Sequence, residues 1–243
     1  RTLVMGSSTP EKEDQAQRVK EFMNYYITSV MEEYTPEFDQ MLFYLPLAGS
    51  TFKKVYYDEN LDRAVSKFIP AEDLVVPYST SDLETCPNIT HVVKMSLNDL
   101  RKRQLSGFYR DIPVIPAQGD SSSVKEELER IDGMYPSNVD YDCTLLECHV
   151  DLDLEGFEEE DEEGEATGIK VPYVVTISQD NGQILSIRRN YKEDDEKKKK
   201  IQYFVHYKFL PGFGFYGLGL IHTIGGLSRT ATAALRQLID AGT

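Results

Sequence analysis

From Cys143 the chain alternates apolar and polar residues with a period of two, and this pattern constrains its fold more than any other feature. Leu146, Cys148, Val150, Leu152 and Leu154 interleave with Glu147, His149, Asp151 and Asp153, which reads as a strand with one dry and one wet face. Three further strand-like runs follow at 170–178, 183–191 and 201–210, and Asn181-Gly182 supplies a tight hairpin turn between the first two. The expectation is a four-stranded antiparallel meander over 141–211.

The rest of the chain divides around that sheet. In the helical lead-in over 1–44, Val19, Phe22, Met23, Tyr26, Ile27 and Val30 fall at three- and four-residue spacing, the stripe of an amphipathic helix expected to pack into a core; Pro36 breaks the run. Next, 45–57 (LPLAGSTFKKVYY) reads as a short connector ending at Gly49 and then a strand, with a turn at 58–62 and Pro-bounded extended segments through 68–95. Ser96 with Asp99 looks like an N-cap carrying an acid at its third position, opening a basic helix through Gly107. Its Arg101, Lys102 and Arg103, with Arg110 beyond, form a dense positive cluster read as a solvated face. Pro113, Pro116, Gly119 and Ser121 to Ser123 punctuate a linker over 113–140, where Ser123 and Glu126 make a capping box for a short helix ending near Gly133. A Gly-rich turn and Ala-rich helix close the chain over 212–243. The parts are thus 1–112, 113–140, 141–211 and 212–243, and the fold class is α+β, an antiparallel meander with flanking helices.

Composition narrows the functions. At 243 residues and 40% hydrophobic content, the chain can bury one large or two modest cores. A net charge of −15 opposes gripping nucleic acid, because such binding comes mostly from Lys and Arg on phosphates. Cys86, Cys143 and Cys148 are odd in number and at no metal or redox spacing, which fits ordinary thiols in a reducing compartment; Cys143 and Cys148 fall on opposite faces of their strand. The longest weakly polar run, 213–227, is broken by five glycines and His222, so no membrane span is expected. Because the chain opens on Arg1 and closes just past a helix capped by Gly242, it reads as a piece of a longer polypeptide.

A meander places its first and third connections at one end. These are 155–168, with eight acids within 155–165, and 192–200, ending in the four lysines Lys197 to Lys200. The preferred reading makes both solvated hairpin tips, and the other a charged projection facing a subunit or partner. The regular oxygen spacing and turn glycine of a calcium loop are missing.

Gly212, Gly214 and Gly217 spell a G-x-G-x-x-G between a strand and a helix, with Asp240 at about the ~20-residue distance of a ribose-binding acid. A dinucleotide-binding module is therefore the alternative function. Against it, 228–241 is helix where a second parallel strand should lie, the preceding strand closes a meander, and Phe213, Phe215 and Tyr216 crowd the phosphate path. The plainer reading is a turn that lets two elements approach closely, followed by a helix whose Thr230, Ala231, Thr232, Ala233 and Ala234 suit close packing against neighbouring copies. No G-x-S-x-G is present, and His91, His149, His206 and His222 are isolated from a Ser or Cys with an acid at motif spacing. His149 and His206 are expected near each other on the sheet's polar face as surface structure. No catalytic, cofactor-binding or metal-ligating residue is assigned, and no cofactor.

Several segments together carry a resemblance: LPLAGSTFKKVYYD at 45–58, FIPAEDLVVPY at 68–78, SDLETCPNITHVVKM at 81–95, LRKRQLSGFYRDI at 100–112, and PGFGFYGLGLIHTIGGLSRTATAALRQLIDAGT at 211–243. In these the chain resembles the portal proteins of short-tailed bacteriophages. The resemblance implies a structural protein without an active site, assembled as a dodecameric ring at one capsid vertex. Double-stranded DNA would pass through it without specific binding, driven by a separate terminase, with scaffold or capsid protein and tail adaptors as further partners. It implies a virion location, host cytoplasm during assembly and no membrane, and it places this chain in the N-terminal, wing-like region.

Overall fold

The computed structural model describes residues 9–58, 61–114, 142–158 and 167–242. The elements are α1 (Pro10–Tyr25), a π-helical turn (Tyr26–Val30), α2 (Tyr34–Ala48), β1 (Ser50–Asp58), β2 (Arg63–Pro70), β3 (Leu74–Val75), β4 (Asn88–Ser96), α3 (Leu97–Leu105), β5 (Asp142–Leu152), β6 (Val171–Ser178), β7 (Ile184–Arg189), β8 (Phe204–Lys208) and α4 (Leu220–Ala241). They form an α+β fold with two antiparallel sheets, one ordered β2-β1-β8 and the other β3-β4-β5-β6-β7.

The meander exists, but its membership differs from the expectation. β5, β6 and β7 pair as foreseen, with Gly182 at φ 65 and the Gln183 N–H donating to Asn181 Oδ1 at 3.0 Å in the hairpin. The fourth run does not join them. β8 pairs instead with β1 (Phe52 opposite His206, Thr51 opposite Tyr207), and the meander is completed upstream by β4, whose Thr90 faces Cys148, and by β3. Segment 192–200 is therefore a crossover between sheets, not a hairpin tip, and it does not share one end of a meander with 155–168. The crossover is built around one carboxylate: Asp195 accepts N–H bonds from Lys197 and Lys199, each at 3.1 Å, while Lys198 turns through φ 44. Of the acidic segment, 159–166 lies outside the described residues, as do residues 115–141 with the capping box of Ser123 and Glu126.

The chain forms two compact units that interleave along the sequence, unlike the consecutive parts expected. The first comprises Arg1–Glu72, Ser81–Glu84 and Gln202–Thr243; the second comprises Asp73–Thr80 and Thr85–Ile201.

In the second unit the wet and dry faces of β5 are reversed in burial. Leu145, Glu147 and His149 are buried, while Leu146, Cys148 and Val150 are only half-buried. The Glu147 face also carries Cys143 and Leu145, which pack with Met95, Leu100, Tyr109 and Leu185 beneath α3. Its polar members tolerate burial because His149 Nε2 and Glu147 Oε1 lie 2.8 Å apart and satisfy each other. The other face holds a second cluster of Val171, Tyr173 and Val175 with Val150, Leu152, Leu154 and Tyr191. Helix α3 starts as its sequence predicts, the Asp99 N–H donating to Ser96 Oγ at 3.2 Å, and Gly107 ends the following turn at φ 79.

In the first unit the apolar stripe of α1 does not enter a core: no α1 residue is buried, and Val19 and Phe22 are more than half exposed. The packing helix is α2, whose Met41 is buried and whose Tyr44 ring lies 5.4 Å from Phe68 of β2. Pro36 sits in the first turn of α2, where its missing N–H costs nothing, so it starts the helix rather than breaking one. Helix α2 also runs through Ala48, so 45–48 is helix rather than connector.

Candidate functional site

Helix α2 ends because Gly49 adopts φ 85, a left-handed conformation that closes the last turn through its N–H to Leu45 O at 2.9 Å and swings the chain into β1. The 210–219 turn lies directly on this corner. The Gly217 N–H donates to Ser50 Oγ at 2.7 Å, the Phe209 N–H to Gly49 O at 3.0 Å, and the Leu218 N–H to Leu210 O at 2.8 Å. No side chain could fit between the two backbones. A Cβ on Gly219 would stand 2.1 Å from Leu47 O, one on Gly217 2.5 Å from Gly49 O, and one on Gly49 2.3 Å from Gly219 N. The reading of the glycine-rich turn as a device for close approach matches this geometry.

The same contacts account for two of the three G-x-G-x-x-G glycines, Gly212 and Gly217, without a nucleotide, while Gly214 has nothing within 4 Å of an added Cβ. The space beside Gly212 is filled by the Tyr216 carbonyl, at 2.3 Å from where a Cβ would be, and that beside Gly217 by the Gly49 carbonyl. At the N-terminus of α4 the Gly219 N–H already donates to His222 Nδ1 at 3.1 Å. The strand before the motif, β8, is antiparallel to β1, and α4 runs unbroken to Ala241 past Asp240, with no parallel strand among the described residues to present that acid.

Behind the corner, β1 and β8 bring together residues that sequence reasoning left apart. Phe52, wholly buried, stacks 4.5 Å from the His206 ring, and Phe215 lies 4.6 Å from His206 and 5.8 Å from Phe52. His206 Nε2 is 3.2 Å from Ser50 Oγ. A serine beside a histidine suggests a nucleophile and its base, but this pair is arranged otherwise. Ser50 is 1% exposed and already accepts from Gly217, and the charge acting on His206 is Lys208 rather than a carboxylate. Burial, with a smaller contribution from Lys208, lowers the His206 pKa to about 4, so the ring is neutral at pH 7 and the pair acts as a structural clamp. The expectation that His206 shares a sheet face with His149 fails, because β8 pairs with β1 in one sheet and β5 belongs to the other.

This clamp makes stability depend on pH. The unfolded chain protonates His206 near pH 6.5 and the folded one only near 4, so the contribution is complete above 6.5 and is lost as pH falls toward 4. Solvent reaching the half-buried ring screens the effect to about 1–2 kcal/mol. Urea unfolding at pH 7.5 and pH 4 is expected to show that loss in wild type and a smaller one in His206→Gln; equal losses in both would remove His206 from the account.

On the opposite face of β1, Lys53 is buried at 3% exposure, with Nζ 4.3 Å from the Tyr34 ring and 5.0 Å from the Phe38 ring, themselves stacked at 5.9 Å. No hydrogen-bond partner for Nζ lies among the described residues. Desolvation lowers its pKa against the opposing pull of Glu37 and Glu33. Those carboxylates are committed to β2, Glu33 to Arg63 at 2.6 Å and to the Ser66 N–H at 3.3 Å, and Glu37 to the Phe68 N–H at 2.6 Å. The set pins α2 across β1 and β2. The sequence holds one trace of it, the aromatic pair at 34 and 38 one helical turn apart.

The positive cluster around α3 is largely occupied within the chain. Arg101 pairs with Asp111, Lys102 with Asp99 at 3.1 Å, and the Phe108 ring lies between Arg103 at 5.7 Å and Arg188 at 4.1 Å. None of the three cysteines forms a disulfide among the described residues. Among the described residues no cluster of His, Cys, Asp or Glu is placed to hold a metal ion, and no helix is long and apolar enough to cross a membrane. No protein-family model matches the chain, and no curated protein matches it significantly.

Proposed function

We propose that this chain is a structural subunit of a phage portal ring, from its wing-like region, forming part of the conduit for double-stranded DNA and of the head-to-tail connection. One observation supports the reading most directly. Two segments that carry the resemblance, 45–58 and 211–243, lie more than 150 residues apart in sequence, yet they meet backbone to backbone at Gly49, Gly217 and Gly219. Residues that resemble a family in separate pieces thus belong to one structural feature, whose glycines are required sterically. The net charge of −15 suits a conduit that must not retain its DNA. In this reading the working partners are eleven further copies, a terminase, scaffold or capsid protein and tail adaptors. Electron-microscopic class averages of the full-length protein test it: closed rings with a central hole are expected, and a compact dimer overturns the proposal.

A further inference from the structure

One face of the second unit's sheet buries more polar groups than its own hydrogen bonds satisfy. On the face that carries Glu147, the strand register sets Thr176 of β6 opposite Glu147 and Ser186 of β7 opposite Thr176, with side chains about 5 Å apart from strand to strand. Ser178 lies on the same face, two residues further along β6. Thr176, Ser178 and Ser186 are 1, 0 and 8% exposed, and none of their hydroxyls has a hydrogen-bond partner among the described residues. A buried hydroxyl left unbonded is destabilising, so three at neighbouring positions call for a polar ligand.

The charges beside these hydroxyls define its chemistry. Arg188 follows Ser186 by two residues on the same face of β7, and its guanidinium stacks 4.1 Å from the Phe108 ring, which also holds Arg103 of α3 at 5.7 Å. Stacking on a ring does not use the in-plane N–H donors of a guanidinium. Tyr109, 5% exposed, lies within the field of both: burial raises its pKa, Arg103 and Arg188 oppose the rise, and Glu147 adds to it. Two guanidiniums thus outweigh one carboxylate, and that carboxylate is already engaged by His149 at 2.8 Å. We propose that this cluster binds a small oxyanion of the phosphate class, with Arg103 and Arg188 supplying charge and the hydroxyls of Ser186 and Thr176 donating to its oxygens. Water alone would satisfy the hydroxyls but leave the two guanidiniums without an anion. Hydroxyls buried this deeply are out of reach of a duplex backbone, so the ligand is a free ion rather than DNA. The site goes beyond the portal reading and does not depend on it.

Calorimetric titration of the 243-residue chain with inorganic phosphate tests it, with Arg188→Gln and Ser186→Ala as site variants. The control is Arg189→Gln, which removes the same charge from the other face of β7, where Arg189 pairs with Glu193. Wild type and control are expected to bind one phosphate per chain with a Kd of about 1 mM or tighter. Arg188→Gln should weaken binding at least ~10-fold and Ser186→Ala at least ~3-fold. Arg188 is exposed and Ser186→Ala removes only one oxygen, so both variants should keep the wild-type circular dichroism. Absence of saturable binding in wild type overturns the proposal and leaves the hydroxyls to buried water. Binding that either site variant retains undiminished, or that the control loses equally, also overturns it, as does displacement of the phosphate by a short DNA duplex.

Discussion

Gly219→Ala is expected to cost about 3 kcal/mol or more, a large part of the ~5–15 kcal/mol that holds a typical domain together. The new methyl would stand 2.1 Å from the Leu47 carbonyl oxygen and 2.7 Å from the carbon that carries it. Both are backbone atoms at the closing turn of α2, so neither can rotate aside as a side-chain tip would. Relief requires the 210–219 turn to withdraw from the α2–β1 corner, which strains the bond from the Gly217 N–H to Ser50 and the pairing of β8 with β1. Gly225 supplies the contrast, since it lies inside α4 with nothing within 4 Å of an added Cβ. Gly225→Ala should therefore stabilise by up to ~1 kcal/mol through helix propensity alone. Equilibrium unfolding followed by circular dichroism compares the two. Equal midpoints for Gly219→Ala and wild type would mean that the corner is not held by backbone contact.

The opposite signs expected at these glycines show where sequence reading reaches its limit. Local chemistry was legible: Ser96 with Asp99, Asn181-Gly182 and the close-packing role of the glycine-rich turn all follow from neighbours a few residues apart. What a segment packs against was not. The alternation in β8 is satisfied equally by β7 or by β1, and the partner taken lies some 150 residues upstream, which no local period encodes. Polar residues on β5 suggested solvent, yet Glu147 and His149 are buried because each bonds the other, a fact of cross-residue geometry rather than composition. Lys53 was passed over for the same reason: lysine in a strand reads as an exposed face until α2 lays two aromatic rings over it.

Phe52→Ala should be the most costly change to a side chain in the first unit, at about 3–5 kcal/mol. The ring is wholly buried at the centre of β1, stacked on His206 from β8 and near Phe215 from the glycine-rich turn, so its removal opens a cavity where three segments meet. Rigid backbone junctions at Gly49 and Gly217 prevent the surroundings from collapsing into that space. A second readout separates this account from simple loss of bulk. Burial is the leading cause of the low His206 pKa, so water entering the cavity must raise it from about 4 toward its ordinary value. Titration of the His206 ring by nuclear magnetic resonance should show that rise in Phe52→Ala and a smaller one in Phe52→Leu, which keeps most of the apolar volume. A destabilised Phe52→Ala protein in which His206 still titrates near 4 would mean that Lys208 and the remaining walls, rather than the Phe52 ring, keep the imidazole neutral.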